Sequence, residues 1–185
     1  MSMMNLSLAL LALLITPGPS NALLALAGAQ TGLRDGLRLI FVVTLCYLAV
    51  VAPLALYGAQ LLHGLPVLRP IVTGLAALWV ARLALRLWSL PAAGTRATAS
   101  VGPRQIAVTT LLNPKALIFG LVLIPATPKV WAALALFALL VPLASLIWLA
   151  LGAGLLSRAG PWLNRGAAVW LALLSLGLAA KALAG

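Results

Sequence analysis

Thr16-Pro17-Gly18-Pro19-Ser20-Asn21 decides the fold, because this stretch interrupts an apolar run that begins near the N-terminus. Each proline removes an amide donor and clashes with the carbonyl one turn earlier, so a regular helix cannot pass through unbroken. In hydrocarbon, broken helices persist only where protein or a water-filled cavity satisfies the freed backbone groups. The stretch therefore predicts a helix break that marks a binding site.

A second interruption, Leu112-Asn113-Pro114-Lys115-Ala116, lies within another apolar run, from position 106 to 124. It again joins Asn to Pro, and it adds a lysine, which costs about 2.5–3.5 kcal/mol at the centre of a membrane helix. The two interruptions occupy corresponding places in the two halves of the chain. This pattern is typical of a transport site built from discontinuous helices.

The composition indicates an integral membrane protein. The 185 residues are 64% hydrophobic and only 7% charged, whereas soluble domains carry about 25% charged residues. The first basic residue is Arg34, so the basic start of a signal peptide is missing and an uncleaved first span is expected. The single cysteine, Cys46, excludes a dithiol pair, and one histidine with one acid indicates no metal site and no cofactor.

Six apolar runs are long enough to cross a bilayer, which takes about 20 residues. We predict an all-α membrane protein of six transmembrane helices, with an inverted 3+3 repeat and broken first and fourth helices. Residues 1–185 would form one domain, with repeat halves at about 1–90 and 104–185 and a cytoplasmic linker at about 90–104. The runs are 4–27, 39–58, 66–89, 105–125, 130–157 and 167–184.

The net charge of +11 predicts an orientation in the membrane rather than a nucleic-acid partner, because the basic residues are scattered over short loops. Loops one, three and five carry most of them, which places these loops in the cytoplasm and both termini outside. The odd loops hold Arg34, Arg38, Arg82, Arg86, Arg96, Arg104, Arg158 and Arg165, and the opposite side holds Arg69, Lys129 and Lys181.

The chemistry of the breaks suits a small polar ligand. The resumed helix near Ser20 and Asn21 exposes amide donors and a positive dipole end, which together favour an anion. Asn21 and Asn113 can donate to a carboxylate or accept from an ammonium. Lys115 has no acid in any span to pair with, so a substrate carboxylate is a candidate counter-ion. Alternatives to a binding site remain open. The prolines could mark simple kinks, Lys115 could snorkel to the interface, and the two asparagines could serve only to join helices.

Three stretches resemble the signatures of the LysE/RhtB-type amino-acid exporters: 17–21, 32–36 and 112–119. The resemblance implies a six-span exporter of amino acids or close derivatives in the bacterial cytoplasmic membrane, driven by the proton gradient. The substrate-binding residues that follow from the matching motifs are Pro17, Gly18, Pro19, Ser20, Asn21, Asn113, Pro114 and Lys115.

The chain departs from that family early in the second span. The family usually has a Gly-Asp pair there, whereas this chain has Leu45-Cys46 or Cys46-Tyr47 and no acid. Proton-coupled carriers commonly use embedded carboxylates. The proton-coupling candidates are therefore Lys115, Tyr47 and the loop residue Asp35. Because nothing buried is negative, a neutral zwitterionic substrate is favoured over a cationic one.

We expect a secondary transporter, not an enzyme, with a small-molecule substrate and the lipid bilayer as its partners. A homo-oligomer is left open. The alternative is a non-transporting membrane subunit, or a degenerate family member that acts through a partner. An intramembrane enzyme is disfavoured because the spans hold no His–acid or Ser–base arrangement.

Overall fold

The computed structural model describes residues 2–64, 68–88, 101–155 and 162–183. Within these ranges the regular elements are all helical, as the sequence predicts. They are α1 (Met3–Ile15), α2 (Pro19–Gly64), α3 (Leu68–Trp88), α4 (Pro103–Leu111), α5 (Pro114–Ile118) with a π-helical turn (Phe119–Leu123), α6 (Val130–Gly154) and α7 (Trp162–Leu183).

Both predicted interruptions are confirmed. The first helix stops at Ile15, and the next begins at Pro19. In the second half of the chain α4 stops at Leu111 and α5 begins at Pro114, and the two pieces are bent by 43°. Proline begins each resumed helix, where its missing N–H leaves no helical hydrogen bond unmade.

A third break was not predicted. Helix α2 turns sharply at Gly32, where φ is 79° and ψ is 175°. This conformation is open to glycine and strained for other residues. The turn separates a first limb, residues 19–31, from a second limb, residues 33–64. The loop expected at 32–38 is therefore wrong, because one glycine redirects the chain and helix resumes directly after it.

Within the described residues, two helices are long and apolar enough to cross a membrane: Pro19–Gly58, which contains the Gly32 turn, and Val130–Gly154. The bent pair Pro103–Leu111 and Pro114–Leu123 makes a third if it counts as one span. Helix occupies part of every one of the six predicted runs, but the six-span inverted repeat and its two halves stay predictions. Residues 90–100 of the predicted linker and 158–161 of the predicted fifth loop lie outside the described residues.

Glycines allow the first limb of α2 to touch α6 backbone to backbone. A Cβ added at Gly28 would collide with the carbonyl oxygen of Leu149, and one added at Gly152 would collide with that of Ala25. Small residues at a helix crossing let two backbones approach closely, which is the usual packing device in membranes. This contact fixes the first limb, and with it the start of the resumed helix, against a long apolar span.

An aromatic cluster fills the core beside the second break. The rings of Tyr47, Phe119 and Phe137 lie with centroids 4.9–6.0 Å apart, and Tyr47 meets both phenylalanines edge to face. All three side chains are buried. Since edge-to-face pairs are favourable beyond their buried area, the cluster orients the Tyr47 hydroxyl toward the break. Helices α3 and α7 pack together beside this core, where the Ser175 hydroxyl donates to the carbonyl of Ala77 at 3.0 Å.

Candidate functional site

The two breaks meet in the interior through a network of side-chain hydrogen bonds. Ser20, at the start of the resumed first helix, accepts from the Thr110 hydroxyl and from the Asn113 amide, each at 3.1 Å. The same Asn113 amide nitrogen donates to the Tyr47 hydroxyl at 2.8 Å. Residues about 90 positions apart in the sequence are thus joined directly. The network makes one site out of two interruptions.

Proline chemistry explains the free carbonyls at the end of α1. In a continuous helix the carbonyl of Leu13 would accept from position 17, but Pro17 has no N–H. Asn21 reaches back from the resumed helix and donates to the carbonyls of Leu14 at 2.8 Å and Thr16 at 3.0 Å. Asn21 is therefore a cap that crosses the break, and it is only 8% exposed.

Lys115 completes this cap from the other break. Its ammonium donates to the carbonyl of Leu13 at 2.9 Å and also to the carbonyl of Thr16. The C-terminal end of a helix carries a partial negative charge, which a lysine stabilises. The end of α1 thus supplies the counter-charge that the sequence could not identify. The ammonium turns to protein carbonyls, which is not the geometry of a snorkelling lysine.

Both polar atoms of the Asn113 side chain make hydrogen bonds. Its amide nitrogen bonds Ser20 and Tyr47, and its oxygen accepts from the backbone N–H of Lys115 at 3.1 Å. It is the N-cap of α5, and an N-cap is worth about 1 kcal/mol. With 3% of its surface exposed, Asn113 acts as a buried joint between the breaks.

A cavity of about 350 Å³ opens beside the joined breaks. Gly18 faces Lys115 there: a Cβ added at Gly18 would lie 3.1 Å from both Cε and Nζ of the lysine, so glycine leaves the room that the long side chain needs. Helix α7 contributes an apolar wall. The lining consists of Leu13, Thr16, Pro17, Gly18, Pro19, Asn113, Pro114, Lys115, Ile118, Leu173, Leu174, Gly177 and Leu178.

Most of the residues predicted for the site come together. Six of the predicted binding residues line the cavity, while Ser20 and Asn21 are buried and hold the breaks in place. Tyr47 is joined to the site through Asn113. Asp35 is different, because it lies on the second limb of α2 just after the Gly32 bend, has an exposed side chain and is not part of the cavity lining.

Sequence reasoning missed three contributors: Thr110, the backbone carbonyls of α1, and the α7 wall. Thr110 stands with Thr109 in an apolar run, which was a usable signal for a buried polar contact. The Leu13 carbonyl was also predictable, since a proline four residues later always orphans such a group. The α7 wall carried no local signal, because its Leu and Gly residues read as an ordinary membrane helix.

The described residues form an all-helical protein with two or three apolar spans, as expected of a membrane protein. A family model for the LysE type translocators matches residues 11–184, and the chain belongs to this family. Its members move amino acids or similar small molecules across membranes and are transporters rather than enzymes. No curated protein and no solved structure matches the chain.

Proposed function

We propose that the protein is a secondary exporter of small amino acids or related zwitterionic metabolites, and that the cavity at the joined breaks is its substrate site. The observation that carries the proposal is the meeting of two interrupted helices around Lys115. Discontinuous helices that face each other at the centre of a transporter commonly hold its substrate.

The charges around the cavity suit a zwitterion. The end of α1 presents carbonyl oxygens and a partial negative charge, while the start of α2 at Pro19 and the Lys115 ammonium are positive. A substrate carboxylate would bind the positive groups. Its ammonium would bind the carbonyls.

Size and polarity narrow the substrate further. A volume of about 350 Å³ lies at the small end of ligand cavities, which span about 300–1,000 Å³. The side-chain end of the ligand would face Ile118, Leu173 and Leu178, which are apolar. The only acid in the chain is Asp35. These features favour small, uncharged side chains over cationic ones.

Transport would proceed by alternating access between two inverted halves. Helices at equivalent positions of the predicted halves pack against one another: α3 contacts α7, and the second limb of α2 contacts α6 through Tyr47 and Phe137. The joined breaks lie where the halves meet. This pairing supports a pseudo-two-fold arrangement of the two halves. The proposed placement in the cytoplasmic membrane, with both termini outside, rests on the family and on the distribution of basic residues.

Proton coupling would use Lys115 and Tyr47. Both belong to the joined breaks, whereas Asp35 does not line the cavity. An ammonium that leaves the α1 carbonyls on losing its proton would loosen the first break. The proton gradient would in this way act on the helices that enclose the substrate.

The test uses purified protein in sealed vesicles loaded with one unlabelled amino acid at a time. Wild-type protein should take up the labelled amino acid in counterflow, and an imposed pH gradient should drive net movement. Lys115→Met should lower counterflow by at least about tenfold, since it removes a charged hydrogen-bond donor from the site. Lys129→Met removes an exposed lysine elsewhere and serves as the control. Full counterflow by well-inserted Lys115→Met would remove Lys115 from the mechanism.

One observation favours a second candidate, a membrane subunit that does not transport alone. Asn21, Asn113 and Lys115 all have protein partners in this structure, so the site is satisfied without a ligand. For that candidate, vesicles holding only this protein would show no counterflow with any amino acid. A co-purifying membrane partner would then restore movement.

A further inference from the structure

The end of α1 has the composition of a cation site. Two backbone carbonyls, those of Leu13 and Thr16, converge on one point and accept hydrogen bonds from the Lys115 ammonium. The neighbouring carbonyl of Leu14 is occupied by Asn21. Carbonyl oxygens at an unwound helix end are the ligands that transporters offer to small cations.

Lys115 is poorly placed for the helix that carries it. It lies in the first turn of α5, where a positive charge opposes the helix dipole. Its stabilising contacts lie across the break, on α1. Asp35, the only acid of the chain, has an exposed side chain on the second limb of α2. Among the described residues, the ammonium is thus held by two carbonyls and the dipole of α1, in the manner of a ligand.

We propose that the carbonyls of Leu13 and Thr16 form a subsite for a primary ammonium group, and that Lys115 occupies it as a tethered stand-in when no substrate is bound. The inference deepens the proposed function and rests on it in one respect, since the ligand is the ammonium of the substrate. On binding, the substrate ammonium replaces Nζ of Lys115. The released lysine then faces the substrate carboxylate in the same cavity.

The geometry gives this exchange a route. Lys115 lines the cavity together with Leu13 and Thr16, so the three groups share one open space. Gly18 leaves the lysine stem free of a facing side chain, since a Cβ added there would lie 3.1 Å from Cε and Nζ of Lys115. A molecule in the cavity can reach the carbonyls as soon as the ammonium swings away.

The experiment asks whether removal of the tethered ammonium leaves a vacant site for a free one. Lys115→Ala and Lys115→Gln are purified, and thermal unfolding is followed by tryptophan fluorescence against methylammonium chloride. Both variants should be stabilised saturably, by roughly 3–6 °C at a tenfold excess over Kd. Wild type and the control Lys129→Ala should respond at least about tenfold more weakly, because their subsite is filled. Tetramethylammonium chloride, which has no N–H donor, should have no saturable effect.

Three results would overturn the proposal. The variants could respond no better than wild type. Sodium or potassium chloride could stabilise them as well as methylammonium, which would indicate a metal-cation site instead. In the third, neither Lys115 variant can be purified in folded form even with methylammonium present throughout, although a filled subsite should restore the fold. Saturable methylammonium binding without amino-acid counterflow by wild type would instead keep the subsite and refute the proposed function.

Discussion

At the scale of single residues, the account depends on which polar groups each proline leaves free. Pro17 orphans the carbonyl of Leu13, and Lys115 is the group that satisfies it. The sequence could predict that Lys115 is special and that the break needs partners. It could not predict that the Lys115 ammonium would donate to the free carbonyl of Leu13, because this contact joins residues 102 positions apart.

Asn21 should matter first for stability. Asn21→Ala removes both donors that cap the end of α1 and leaves the buried carbonyl of Leu14 without its partner. Because an unsatisfied buried acceptor costs about 1–3 kcal/mol, we expect a lower midpoint in thermal unfolding of the purified protein. Asn5→Ala, on the exposed face of α1, should leave the midpoint unchanged. Equal midpoints for both variants would show that the cap is not formed.

At the scale of helices, the sequence predicted the two proline breaks well, because proline acts locally. It predicted the Gly32 bend poorly. The residues around it, Arg34, Asp35 and Arg38, are polar and suggested a loop, yet their side chains are exposed on a continuing helix. The spacing Gly28-x-x-x-Gly32 matches a helix-packing motif, but it straddles the loop expected at 32–38 and is discounted for that reason. In the structure Gly28 does pack against the backbone of α6.

The contact between α2 and α6 gives a test at this scale. Gly152→Ala would drive its Cβ into the carbonyl of Ala25, and backbone cannot yield as a flexible side chain does. Overpacking of this kind costs about 1–3 kcal/mol, so the thermal midpoint should fall. Gly154→Ala, in the same helix, is the matched control, because a Cβ added there would meet nothing within 4 Å. A Gly152→Ala protein as stable as the control would refute the close approach of the helices.

At the scale of the whole molecule, composition predicted a membrane protein, and the LysE type translocator family agrees with it. Charge placement is the only argument for orientation. Positive loops prefer the cytoplasm, but much of the arginine-rich linker and fifth loop lies outside the described residues. How the halves are arranged follows from long-range packing, which periodicity along one chain cannot specify.

Orientation is tested by cysteine labelling in a Cys46→Ala background. Arg34→Cys lies on the predicted cytoplasmic side and Lys129→Cys on the predicted outer side, and both positions are exposed. An impermeant maleimide added to intact cells should label Lys129→Cys at once. It should label Arg34→Cys only after the membrane is permeabilised. The opposite labelling pattern would show that the protein has the inverse orientation, with both termini in the cytoplasm.

The central claim is that the two broken helices meet in one site and move relative to one another during transport, and a disulfide across them tests it most directly. The hydroxyl oxygens of Ser20 and Thr110 lie 3.1 Å apart, close enough that Ser20→Cys with Thr110→Cys in the Cys46→Ala background should form a bond of about 2.05 Å. Oxidation should join the pair and stop amino-acid counterflow, and reduction should restore the counterflow of the unoxidised double variant. Oxidation should leave the counterflow of each single-cysteine variant at that variant's own starting level. Failure of the cysteines to join, or full counterflow by the joined protein, would contradict the account.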